Sequence, residues 1–335
     1  TLRLVDLLKE VKFCNRKFDV TEDLVVNCIF KRARNLDDKF NGHLCLIKCY
    51  SGQARWDDGL RTGLDLVRKL DAPLASVPSK RAFRLELFKT VMALRKKTDD
   101  DLLALPRMTD KRVLKVMKSL LSFSAIGRLL GSRYFALTIF RMVQLSLKHG
   151  LTDITAVAFA LFAYSLINLG YTEKAYRFGR LALTVLDELD AEKLLPTTYT
   201  FVYAFNFHWH DPVQTVIDPL LRCYKVGLEI GDAEYASYGI LHRLLIQLHC
   251  GALDISSLIE EHQQYVPTVV AAAKDMVMAT YQASLNLAGD SPDPSRLNGR
   301  AMTEDDLLQR LAEKNNPISE YYFRMSAACV AYLFG

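Results

Sequence analysis

The stretch Thr198 to Pro212, TYTFVYAFNFHWHDP, places an aromatic side chain at every second position: Tyr199, Phe201, Tyr203, Phe205, Phe207 and Trp209. Read locally, alternation of this kind is the mark of a β-strand. No other segment of the chain alternates at period two, so a strand here would find no partner, and its backbone N–H and C=O groups would go unpaired. The stretch is therefore expected to be helical from Thr198 to His210, with aromatic rings pointing to all sides and neighbours burying them. An extended, paired conformation would overturn that expectation.

The rest of the chain reads at helical spacing. Helices are expected over Asp19–Leu36 with Thr21 as cap, over His43–Tyr50 with a break at Ser51-Gly52, and from Trp56 with Leu60, Leu64, Val67 and Leu70 inward. Ser79–Lys97 follows with Phe83, Leu87, Val91 and Leu94 inward, then a helix from Lys111 capped by Asp110, and Ser132–His149 ended by Gly150. Ala156–Leu169 is apolar nearly all round and should be buried on most sides. After Glu173–Leu189 and the aromatic stretch, Asp211 as N-cap and Pro212 at the first helical position should open a helix to Ile230. Helices over Ala233–His249, from Asp254 or Ser256 towards Tyr265, Val266–Ala288, Thr303–Glu313 and Pro317–Leu333 complete the pattern.

The turns between these helices recur. Trp56, Tyr171 and Trp209 or His210 stand before second helices, and Asp-Ala recurs near helix ends at Asp71, Asp190 and Asp232. Tyr171 to Asp211 is 40 residues, Asp211 to Leu253 is 42, and Trp56 to Tyr171 is 115, close to three such units. A period near 40 built of helical hairpins is what an α-solenoid produces, because one hairpin cannot bury its apolar face alone. The expected fold is all-α: an α-solenoid of helical hairpins, a degenerate tetratricopeptide-like superhelix. The expected organisation is a repeat domain over 1–288, a flexible loop over 289–302, and C-terminal helices over 303–335 leading to a following module.

Asn168-Leu-Gly-Tyr-Thr-Glu-Lys-Ala-Tyr-Arg-Phe178 resembles the tetratricopeptide pattern in its Gly, aromatic, Ala and second aromatic. Several runs also resemble the helical repeat region of large hybrid signalling proteins: Leu105–Asp110, Phe140–His149, Ala175–Leu183, Phe207–Pro212 and Gly231–Ala236. In that family a Ser/Thr-kinase-like domain and an AAA/STAND-type ATPase come first. The helical repeats follow, with GAF or PAS sensors and a histidine kinase or cyclase after them. The resemblance spans roughly residues 20–270, is densest over 100–245, and brings no catalytic residue with it. It implies a cytoplasmic coupling segment whose partners are the neighbouring ATPase and output domains, or other proteins.

Composition agrees with a globular chain: half the 335 residues are hydrophobic and 24% are charged. The first ten residues carry Arg3, Asp6, Lys9 and Glu10, which no signal peptide would. The apolar run Ala156–Leu169 is shorter than the roughly 18 residues a bilayer span requires. Seven scattered cysteines read as reduced thiols. Residues 1–120 carry a net +10 and residues 121–335 a net −5. Basic residues at helical intervals, such as Lys80, Arg81 and Arg84, or Lys111, Arg112, Lys115 and Lys118, read first as solvated helix faces. A nucleic-acid surface is the weaker reading.

No phosphate-cradling G-x-x-x-x-G-K-[ST], G-x-G-x-x-G, H-E-x-x-H or G-x-S-x-G motif occurs. The stretch is expected to be non-catalytic and to carry no cofactor and no metal. His208-Trp209-His210-Asp211 is read as a helix end, since His at i and i+2 face apart on a helix. Cys45 and Cys49 share a helical face and are read as core packing. His249-Cys250 lacks a third, orienting group. Asp99–Asp101 is read as a loop or a short turn of helix, solvated in preference to holding a cation. What remains is surface: the first helices of each pair should line a groove, with Tyr199, Tyr203, Trp209, His242 and Arg243 as candidate interaction residues, against the blander reading that the aromatics are simply core. The alternative function is the effector-sensing helical domain of a STAND-type transcription activator.

Overall fold

The computed structural model describes residues 2–53, 55–75, 77–314 and 317–335. The described residues are all-α, without strands; one isolated parallel bridge joins Arg107 and Leu151. Two compact units divide the chain, Thr1–Ala158 and Phe159–Gly335.

The first unit contains α1 (Leu2–Cys14), α2 (Phe18–Asp23), α3 (Phe30–Arg32), α4 (Leu36–Gly52), α5 (Trp56–Lys69), α6 (Lys80–Leu94), α7 (Asp99–Leu103), α8 (Lys111–Leu129) and α9 (Tyr134–His149). The helix α10 (Asp153–Asn168) begins in this unit and ends in the next. The second unit continues with α11 (Thr172–Glu188), α12 (Leu195–Tyr199), α13 (Ile217–Glu229), α14 (Ala233–Cys250), α15 (Ile255–Tyr265), α16 (Ala271–Leu287), α17 (Glu304–Lys314) and α18 (Pro317–Phe334).

Local chemistry sets most of these boundaries. The side chains of Asn35, Ser79, Thr98, Asp110, Asp232 and Asp254 each accept a hydrogen bond from a first-turn N–H. Thr98 and Asp101 form a reciprocal capping box, and of the two readings of the Asp99–Asp101 run, loop or short turn of helix, the helical one holds. Gly150 stops α9 at φ +101°, and its backbone lies so close to Pro106 O that a Cβ would sit 2.0 Å from it. The adjacent amides use that proximity: Leu151 N–H donates to Pro106 O and Met108 N–H to Leu151 O, both at 2.8 Å.

Consecutive helices pack as pairs, α4 with α5, α8 with α9 and α13 with α14, and short connections make such neighbours antiparallel. Helices also pack one pair further on, α5 against α8 and α14 against α16. Small residues allow the close approach. On α5 a Cβ at Gly59 would lie 2.4 Å from Ile126, and one at Gly63 2.4 Å from Phe123. On α14 a Cβ at Gly239 would lie 2.8 Å from Cys223 Sγ and 3.0 Å from Leu220 O.

Several expectations change. The buried face of α5 is Gly59, Gly63, Leu66 and Val67, whereas Leu60 and Leu64 are only half-buried. Val91, expected inward on α6, is 40% exposed. Thr21 does not cap a helix; it lies buried inside α2 with its hydroxyl on Lys17 O, and the expected helix over 19–36 runs without a break from Phe18 through a π-helical turn at Leu24–Ile29 and ends at Arg32. The helix through His43–Tyr50 stops at Ser51-Gly52 as expected, but it starts as early as Leu36. Asp211 and Pro212 do not open an α-helix: a 3₁₀ turn runs Val213–Val216 and α13 starts only at Ile217.

The connection over 289–302 is hydrogen-bonded to α16. Buried Asn286 donates through Nδ2 to Pro294 O at 3.0 Å and Arg296 O at 2.6 Å. Buried Gln282 accepts Ala301 N–H at 3.0 Å and donates to Asn286 Oδ1 at 2.8 Å. The Glu304 carboxylate accepts from Leu297 N–H and from the Arg296 guanidinium.

Candidate interaction surface

The aromatic stretch is helical, in three pieces: the end of α12, a π-helical turn at Thr200–Ala204 and a 3₁₀ turn at Phe207–Trp209. Helical geometry resolves its alternation into two interleaved i, i+4 ladders. In one, Tyr199 meets Tyr203 at 4.9 Å between ring centroids and Tyr203 meets Phe207 at 5.2 Å. In the other, Phe201 meets Phe205 at 5.8 Å.

Each ladder serves different neighbours. Phe207 packs on Tyr176 of α11, and Arg222 of α13 lies over Tyr199 while donating to its hydroxyl at 3.3 Å. Phe201 and Phe205 meet Tyr164 of α10 edge-on, and they reach α14 through Tyr235 and His242 respectively. The π turn is anchored by polar groups. Thr200 Oγ1 donates to Pro196 O at 2.8 Å, and the buried Cys223 thiol reaches the same carbonyl at 3.3 Å. Burial pushes that thiol up to about 12 and the Tyr203 phenol up to about 12.

The five candidate groove residues do not together form an open surface. Tyr199, His242 and Arg243 are buried, Tyr203 is half-buried, and Trp209 is 55% exposed. His242 Nδ1 lies 2.7 Å from Tyr238 O, so it carries the hydrogen; Nε2 lies 2.7 Å from the Tyr322 hydroxyl of α18. Arg243 forms an ion pair with Glu261 of α15 and donates to Gln247 Oε1 at 3.2 Å. Trp209 lies beside His208, whose ring burial holds below the ordinary imidazole range.

Asp211 has a tertiary role that its cap-like context hid. Its carboxylate accepts the Tyr176 hydroxyl at 3.0 Å, and the His210 ring lies 4.9 Å from the Tyr176 ring. Next to them, buried Asn206 donates to Ala175 O at 2.8 Å, in space left by Gly179.

The cysteine pair is asymmetric. Cys45 on α4 is half-buried and its thiol is lowered, first by its hydrogen bond with Cys49; the buried Cys49 is raised by the same bond and by desolvation. His249 Nδ1 donates to Leu245 O at 2.8 Å, an intrahelical contact. Among the described residues, no group of three or more His, Cys, Asp or Glu side chains is placed to hold a metal ion, and no helix is long and apolar enough to cross a membrane. No protein-family model matches the chain, and no curated protein matches it.

Proposed function

We propose that the chain is a non-catalytic helical-repeat scaffold for protein–protein interaction or interdomain coupling. On this reading it is part of a cytoplasmic, multidomain signal-transduction protein linked to an ATPase or kinase, with its hairpins stacked as a degenerate tetratricopeptide-like superhelix. One observation carries the reading. Distinctive polar and aromatic side chains are spent on joining segments of the chain to one another: His242 on Tyr322, Arg243 on Glu261, Asp211 on Tyr176 and Asn206 on the α11 backbone. A chain that commits such groups to its own stacking presents shape and surface to a partner, which is how helical repeats work.

The test uses the purified chain. Expected are no ATP turnover or phosphoryl transfer, and saturable binding to at least one domain of the protein that contains it, followed by calorimetry. Intrinsic turnover, or binding of a small molecule with no protein contact, would refute the scaffold reading.

A further inference from the structure

The helix α6 carries two opposed faces. Its inner face is fixed to α9: Phe83 packs on Phe140 with ring centroids 5.5 Å apart, and Gln144 donates to Glu86 and to buried Thr90, both at 3.0 Å. Its outer face carries Leu85, Phe88, Val91 and Met92, which are 53%, 62%, 40% and 43% exposed. At 100° per residue these four fall within about 60° of the Phe88 direction, a single apolar row about two turns long.

Cations stand at both ends of that row. Arg81 and Arg84 precede it, and Arg95 and Lys96 follow it; all four are exposed, and none has an ion-pair partner among the described residues. The α6 acid, Glu86, turns inward to Gln144 and pairs with Lys89. The outer face is thus a hydrophobic row with positive charge at each end.

We propose that this face is a docking surface for an acidic amphipathic helix of a partner protein, a surface that rests on and deepens the scaffold reading. The placement of the charges selects this occupant. Helical spacing puts Arg81, Arg84 and Arg95 within about 40° of the Phe88 direction, in line with the apolar row. A helix lying in a lipid surface instead carries its cations on a separate polar face, where they remain in the headgroup region. In-line guanidiniums suit carboxylates on a second helix, which they can grip in bidentate pairs. Arg84 and Arg95 are about 17 Å apart along the axis. The fitting partner has apolar anchors at i, i+3 or i+4, and i+7, with Asp or Glu beyond both ends.

The experiment pans a phage-displayed library of helical peptides against the whole chain, against Arg84→Glu/Arg95→Glu and against Phe88→Ser. These positions are exposed, so each variant should keep the wild-type circular dichroism and melting temperature. Expected is enrichment of peptides with acids at both ends of an apolar row, binding that weakens with salt, and at least tenfold loss on each variant. Peptides that bind wild type and variants equally would remove the α6 surface while leaving the scaffold reading standing. Absence of acidic enrichment would overturn the proposal. So would phosphatidylserine vesicles that bind the wild type and fail to bind the variants, which would make the face a lipid surface.

Discussion

His242 Nε2 and the Tyr322 hydroxyl, 80 residues apart in the chain, stand 2.7 Å apart and join α14 to α18. Both residues are buried, and the Phe205 ring packs on the same imidazole at 4.8 Å. Tyr322→Phe keeps the ring and deletes the bond. It should destabilise the second unit by about 1–3 kcal/mol, the usual cost of removing one partner from a buried hydrogen bond. Urea unfolding gives the number, and a double-mutant cycle with His242→Leu should show coupling of at least about 0.5 kcal/mol. Additive single effects would mean that the contact does not hold α18.

Gly63 is a test of close packing in the first unit. A methyl there meets Phe123 Cδ1 at 2.4 Å, Cγ at 2.5 Å and Cβ at 2.8 Å, the root of a buried ring that cannot swing aside. Gly→Ala within a helix normally stabilises by about 0.5–1 kcal/mol. Here overpacking should outweigh it, for a net loss of about 1–2 kcal/mol. A melting temperature unchanged or raised in Gly63→Ala would show that α5 and α8 can separate without cost.

The pH dependence follows from His262, which has no exposed surface and lies stacked on Tyr281 with its Nδ1 on Leu258 O. Burial lowers its pKa from 6.5 to about 4. Between those values the unfolded chain takes up a proton that the folded chain refuses. The contribution is therefore intact above pH 6.5, declines as pH falls towards 4, and levels off below. By pH 4.5 the loss is about 2–3 kcal/mol. Denaturant titrations at pH 7 and 4.5 should show His262→Phe losing less stability than wild type across this window. Parallel losses would remove His262 as the cause.

Asn286 should control the 289–302 connection. Asn286→Ala removes the donor to Pro294 O and Arg296 O. Amide exchange at Leu297 and Gly299, whose N–H groups bond Glu304 and Met302 O, should then speed up at least tenfold. Unchanged exchange there would show that Gln282 and Glu304 suffice.

The sequence carries the helices clearly because their ends are chemically marked. Asp110, Asp232 and Asp254 cap where they stand, and glycines at positive φ stop α9 and α14. The misreadings arise where a distant residue outbids the local signal. Asp211 looks like a cap, but Tyr176, 35 residues upstream, takes its carboxylate. Leu60 and Leu64 dominate a count of apolar residues on α5, yet Gly59 and Gly63 face α8 because only a missing side chain allows that approach. Val91 has helical spacing, but α9 covers only the opposite side of α6. Of the candidate surface residues, His242 and Arg243 looked available because Tyr322 and Glu261 have no sequence relation to them.

The two aromatic ladders of the 199–207 segment grip α10 and α14 with one set of rings and α11 and α13 with the other. Stacked hairpins ordinarily fray from an end, each losing only its nearest-neighbour contacts. A double-sided aromatic key changes that. Peeling away either flank strips one ladder to water and leaves the other holding a helix with half its cover gone. The second unit should therefore melt as a single cooperative block, and whatever force or binding energy reaches one flank is felt at the other.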